Sequence, residues 1–281
     1  MSPRRIPIAA LLAALPTLVG VGYAAGAATG LIGFGAAGFS LRRVASVLGE
    51  LTVWRGVAWT LTTAAAATLL ATAGAVLVAT VFRGTARGDR AARALAVLPL
   101  VVPHLVAAAV FVFLFGQSGF LARAIHAAGV ADAQGVVPTL VYDPLGIGFI
   151  LALAWKELPF LSLLAFSVLS TRGPELEETA RSLGADRRDV FRRVTWPILW
   201  RGLLPGVVAV FAFVAGSYEA AILLAPSEPV ALPLLTWERY TDPDLARRAD
   251  AFVLVLVGIG LAAIAVAVHE WARARWERFE G

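Results

Sequence analysis

The sequence predicts an all-α, polytopic membrane protein, on three observations. Hydrophobic residues make up 59% of the 281, and the mean hydropathy is +0.79. Charged residues are only 15%, against roughly 25% in an ordinary soluble domain. Six apolar stretches, about 6–31, 57–82, 94–116, 145–169, 204–225 and 251–271, match the roughly 20 residues that a helix needs to cross a bilayer. With no cysteine in the chain, disulfides, thiolate nucleophiles and Cys-ligated metals are excluded.

The first stretch follows Arg4 and Arg5, as a signal peptide would. Its apolar run continues to Gly38, well past the roughly 7–15 residues of a secretory h-region, so an uncleaved first helix is expected. Gly22, Gly26 and Gly30 form two overlapping GxxxG steps, a spacing that lets helix backbones approach closely. They suit either a subunit interface or packing within the chain. Pro99 and Pro103 fall in the third stretch and Pro159 in the fourth. Proline removes a backbone donor and kinks a helix, which a membrane tolerates where neighbours or a cavity satisfy the freed carbonyls.

Few polar groups fall inside these stretches: His104, Lys156, Glu157, and Glu219 after Tyr218. Ionisable groups in a membrane are costly and point to function by default. These five are the candidate pathway residues. Glu157 and Glu219 are expected to face a pathway or a helix interface, although Glu219 also fits a helix end in polar surroundings. Lys156 and Glu157 project about 100° apart on a helix and need not pair. His104 reads first as a hydrogen-bonded packing residue. Lys156 is the only lysine in the sequence.

The arginines orient the chain. With the N-terminus inside, sixteen fall on the cytoplasmic side, including Arg4, Arg5 and Arg278, and seven on the outside. The positive-inside rule then places both termini and the loop between the fourth and fifth stretches in the cytoplasm. The outer loops 117–144 and 226–250 are long enough to contact a soluble partner.

That cytoplasmic loop, about 171–203, is a polar island. Pro174 suits a first helical position, and Glu175, Glu177 and Glu178 complement the positive end of the helix dipole. Leu176, Ala180 and Leu183 share one apolar face at i, i+4, i+7. Gly184 stands where a helix C′ glycine belongs. Asp186 followed by Asp189 resembles a capping box with Asp in place of Glu. A short helix, a glycine turn and a second short helix along the membrane surface are expected.

The island resembles the EAA motif of binding-protein-dependent ABC importer permeases, EAA-x3-G-x9-I-x-L-P. Glu178, Ala180, Gly184 and Pro197 match it at the same spacings. Thr179 replaces Ala, Val194 replaces Ile, and Trp196 replaces Leu, the largest departure. Trp59–Leu70, Leu98–Pro103 and Trp155–Ala180 also look like family sequence. The resemblance implies a single permease domain over 1–281, with its core at about 57–271. It implies a cytoplasmic ABC ATPase dimer, which the island contacts through Glu178, Ala180, Gly184, Val194, Trp196 and Pro197. Glu178 would be the charged contact and Gly184 the turn. It also implies a second permease subunit, more often a different chain than a copy, and an extracytoplasmic substrate-binding protein. Location in a bacterial inner membrane follows. The texture of Ser217–Tyr240 looks most like the polyamine, thiamine, phosphonate and iron(III) branch.

A Walker A loop needs Gly-Lys-Ser/Thr, and Lys156 follows Trp155, so ATP and magnesium are expected in the partner and no cofactor in this chain. Gly116-Gln117-Ser118-Gly119 resembles the nucleophile motif of rhomboid proteases, with His269 as a conceivable base. The topology places these two on opposite sides of the bilayer. The arginines follow topology and form no stripe on one face, which argues against nucleic acid.

Overall fold

The computed structural model describes residues 8–33, 36–84, 86–130 and 132–277. Arg4, Arg5 and Arg278 of the charge count lie outside the described residues. Every regular element among those described is helical. The α-helices are α1 (Ile8–Ala28), α2 (Arg42–Leu48), α3 (Leu51–Val81), α4 (Arg87–Val97), α5 (His104–Phe115), α6 (Phe120–Ala127) and α7 (Ala133–Val136). They continue as α8 (Ile147–Arg172), α9 (Pro174–Ser182), α10 (Arg187–Val190), α11 (Trp196–Ala215), α12 (Tyr218–Leu224), α13 (Leu232–Tyr240) and α14 (Arg248–Glu277). Five segments are long and apolar enough to cross a membrane: Leu51–Val81, His104–Ala127, Ile147–Thr171, Arg187–Ala215 and Arg248–Arg275. The first stretch adds a shorter apolar helix, Leu12–Ala28.

The chain divides into two compact units. One comprises the chain up to Val57 with Val230–Ile264, and the other Ala58–Pro229 with the chain from Ala265. In the first unit, a Cβ added to Gly26 would lie 2.9 Å from the Ile32 side chain, whereas Gly22 has nothing within 4 Å. The close approach at Gly26 therefore serves packing within the chain. Asp250 lies 3.4 Å from Arg43 and 3.6 Å from Arg239, and Arg239 also hydrogen-bonds Glu50. This charge cluster ties α13 to α2 and α14.

The second unit is built around α8. Alanines at 64, 67, 71, 75 and 79 keep one face of α3 small and buried. A Cβ on Gly74 would meet Leu158 of α8 at 2.7 Å. Gly202 and Gly206 of α11 do the same against Val168 and Leu164, at 2.4 and 2.5 Å. Without a hydrophobic drive between helices in lipid, such small positions allow close van der Waals packing. Ala79, Ala165, Leu169, Leu199 and Leu203 make the shared core of these three helices. Trp59 closes the far end of the α3–α8 pair, donating from Nε1 to the Pro144 carbonyl at 3.0 Å.

Two expected spans are corrected. The third does not run unbroken over 94–116: α4 ends at Val97, a 3-10 turn covers Leu98–Val101, and a new helix starts at His104. Val102, preceding Pro103, is extended (φ −81°, ψ 125°), as the proline ring requires of its predecessor. The prolines thus split the stretch where a kink was expected, and the membrane-length segment is His104–Ala127. The fifth span starts earlier than 204 and stops at Gly216, leaving α12 as a separate short helix.

Candidate functional site

The polar island folds into a helical hairpin. Pro174 opens α9, with Glu175 and Glu177 in the first turn. The helix closes through Gly184, at φ +87°. The Gly184 N–H donates to the Arg181 carbonyl at 2.9 Å, and the Ala185 N–H to Ala180 at 3.1 Å. An L-residue is disfavoured at that φ, so the glycine sets the turn. Asp186 then caps α10, its Oδ1 accepting the Asp189 N–H at 2.7 Å.

One expectation is overturned here. The second short helix is not separate from the following span. It passes through a π turn, Phe191–Thr195, directly into α11. Pro197 lacks an N–H, and its ring would crowd the carbonyl of Arg193 four residues back in a regular helix. The wider π turn relieves that conflict without ending the helix.

Glu177, one of three carboxylates that complement the α9 dipole, is the hub of the hairpin. It is 5% exposed. One Arg83 guanidinium nitrogen donates to its two oxygens at 2.9 and 2.8 Å. The Thr195 hydroxyl donates to Oε1 at 2.6 Å, and Arg181 reaches Oε2 at 3.5 Å. Burial works to raise the Glu177 pKa. The Thr195 hydroxyl and the Arg83 and Arg181 guanidiniums outweigh it and hold the carboxyl below its ordinary value. α9 is thereby fastened both to the segment after α3 and to the π turn. The sequence did signal Arg181 one helical turn after Glu177, but not Arg83 or Thr195.

The residues carrying the EAA resemblance lie on the outer side of this clamp. Glu178 and Gly184 are exposed, and Ala180, Val194 and Pro197 are half-buried. Leu176, Ala180 and Leu183 form one wall of a groove of about 910 Å³, with Val194, Pro197 and Ile198 on the other. Glu175, Arg193 and Arg201 also line it. Leu176 and Leu183 are 53% and 83% exposed, so the apolar face predicted for the first helix is present and open. Trp196, the departure from the motif, stacks on Trp200 with ring centroids 5.8 Å apart.

Of the candidate pathway residues, two come together. His104 Nε2 and Glu157 Oε1 are 2.9 Å apart, joining the start of α5 to the middle of α8. His104 also packs against Phe213 of α11, with ring centroids 4.7 Å apart. Lys156 is 4% exposed and Glu157 8%. Tyr218 is half-buried and Glu219 exposed, both in the first turn of α12. The protease dyad does not form. Ser118 is exposed in the turn between α5 and α6, while His269 Nδ1 has no hydrogen-bond partner and Nε2 faces Glu270 at 3.7 Å.

A helical bundle of membrane-length segments, carrying a clamped polar hairpin between two of them, is the build of a transport permease. The chain belongs to the family described as binding-protein-dependent transport system inner membrane component, which matches residues 71–278. It is thus a permease subunit of the ABC importer class. A probable molybdenum ABC transporter permease protein of Haloferax volcanii is 34% identical over 69% of this chain and 66% of its own length. The molybdenum transport system permease protein ModB of Mycobacterium bovis is 33% identical over 70% of this chain and 75% of its own. The sulfate transport system permease protein CysT of Synechocystis is 30% identical over 66% and 63%. A bacterial ABC transporter involved in alginate import shares the fold, with a TM-score of 0.68 over 95% of each chain at 19% identity. The expectation of a polyamine, thiamine or phosphonate branch finds no support among these relatives, whose names specify molybdenum and sulfate.

Proposed function

We propose that this permease admits a tetrahedral oxyanion of the molybdate and sulfate class, driven by a cytoplasmic ABC ATPase dimer docked on the α9 hairpin. The observation that carries the coupling role is the hairpin itself. A stiff element, pinned at its back through Glu177, presents an open apolar wall and the exposed Glu178 at its front. A clamp of this kind passes displacement of α9 on to α3 and α11 as rigid-body motion and does not absorb it by bending. Glu178, Ala180, Gly184, Val194, Trp196 and Pro197 form or support the docking face. The oxyanion reading rests on what the relatives are named for.

The rest of the assembly follows from the same class. An extracytoplasmic binding protein delivers the substrate, and a second permease subunit, more often a different chain, completes the pathway. ATP and magnesium bind in the ATPase partner. The whole chain acts as one permease domain, with both termini in the cytoplasm, the orientation that the arginine distribution supports. The test is affinity capture of the tagged chain from solubilised membranes, with and without Glu178→Lys, followed by mass spectrometry. We expect an ABC ATPase with the wild type and its loss from the variant. A folded wild-type chain that brings down no ATPase would refute the docking role.

A further inference from the structure

We propose that Lys156 is the cation on the permeation pathway that receives the oxyanion, an inference that rests on the oxyanion reading above. Lys156 sits in the middle of α8, three residues before the buried Pro159, and is 4% exposed. The described residues offer it no ion pair or hydrogen bond; the carboxylate next to it in sequence, Glu157, is taken by His104 at 2.9 Å. Consecutive helix positions point about 100° apart, so Glu157 does not turn to Lys156 while His104 holds it. Among the described residues, the fully enclosed polar side-chain atoms without partners are those of Thr68, Ser162 and His269, and the Lys156 ammonium is not among them. The ammonium thus keeps a small accessible surface although the residue as a whole is buried.

A cation held inside a membrane-spanning segment without a counter-charge is costly, and such residues mark substrate pathways. An oxyanion would supply what Lys156 lacks: a negative charge and acceptors for its three N–H donors. The setting is suitable for an anion. The apolar stretch 94–116 is broken at Val102–Pro103, and α5 begins at His104, whose Glu157 contact lies one residue along α8 from Lys156. Broken helices present their positive N-terminal ends to anionic substrates in membrane transporters. His104 is a positioning residue in this arrangement. It keeps Glu157 from neutralising Lys156.

The test uses the complete importer, purified with its ATPase, second permease and binding protein and reconstituted in liposomes. Uptake of radiolabelled molybdate and sulfate is measured beside ATP hydrolysis for the wild type, Lys156→Gln, Lys156→Met and Lys156→Arg. Loss of one charge-assisted contact lowers initial uptake at least about tenfold in the Gln and Met variants. Binding-protein-stimulated ATP hydrolysis persists, and the Arg variant retains most of the uptake. The Met variant keeps the packing of the stem, so it carries the test if Gln impairs folding. Wild-type uptake by Lys156→Met overturns the role of Lys156 alone. Assembly lost in both the Met and Gln variants but kept in Arg assigns the lysine to a subunit contact and overturns it too. A wild-type importer that moves neither anion overturns the oxyanion reading, and this inference with it.

Discussion

Arg83 and Glu177, 94 positions apart in sequence, meet through a single guanidinium nitrogen that bridges both carboxylate oxygens at 2.9 and 2.8 Å. Arg83 follows the end of α3 and Glu177 lies on the buried side of α9. The hairpin cannot swing away from α3 without breaking this contact and leaving a carboxylate buried.

We expect Glu177→Gln to loosen the hairpin while leaving the bundle folded. A buried acceptor that loses its charged partner costs about 1–3 kcal/mol. Hydrogen exchange should rise through α9 and α10 but not in the core of α8 and α11. Transport should fall more than ATP hydrolysis. Unchanged exchange in α9 would remove the clamp from the mechanism.

The same carboxylate sets a pH dependence. Its pKa is lowered in the folded protein, so the unfolded state binds the proton more readily. The stabilisation is fully present above the ordinary glutamate range, about pH 4. It is lost as pH falls through the lowered folded value. Exchange protection of α9 should therefore hold from neutrality down to about pH 5 and decline only below about pH 4, and the decline should be absent in Glu177→Gln.

Gly184 tests the turn. Nothing lies within 4 Å of a Cβ built there, yet φ is +87°, so a substitution meets backbone strain and no clash. Gly184→Val should cost about 1–2 kcal/mol in local hairpin stability and weaken coupling of ATP hydrolysis to transport. Gly184→Asn, which tolerates positive φ, should retain most of the coupling. Equal behaviour of the two variants in the reconstituted complex would show that the turn's conformation is irrelevant.

The hairpin was legible in the sequence because its determinants are local. Pro174, Gly184 and Asp186 each act within a turn of their own position, and all three occupy the expected places. The π turn was not legible, because a proline such as Pro197 can end a helix or, as here, let it widen and continue. Glu177 was missed because its importance depends on Arg83 and Thr195, which local pattern does not connect. His104 and Glu157 are legible separately as polar groups in apolar stretches, but lie 53 positions apart, and nothing local specifies their pairing. The helix break before His104 was signalled by Pro99 and Pro103 and underestimated, since proline in a membrane can either kink a helix or end it.

The packing glycines give a further expectation. A Cβ on Gly202 would meet Val168 at 2.4 Å, on the face where α11 lies against α8. Gly202→Val should overpack that face, lowering thermal stability by about 1–3 kcal/mol, in contrast to the mild effect of Gly184 variants on global unfolding. Thermal unfolding of the detergent-solubilised chain distinguishes them.

The proposed docking of an ABC ATPase on the open wall of α9 can be tested directly, because the chain contains no cysteine. A single cysteine at Leu183, 83% exposed on the groove wall, should form a cross-link to a co-expressed ABC ATPase, and its yield should change with ATP. A cysteine at Ile264, exposed on α14, should form none. If Ile264→Cys cross-links and Leu183→Cys does not, the ATPase docks elsewhere and the hairpin is not the coupling element.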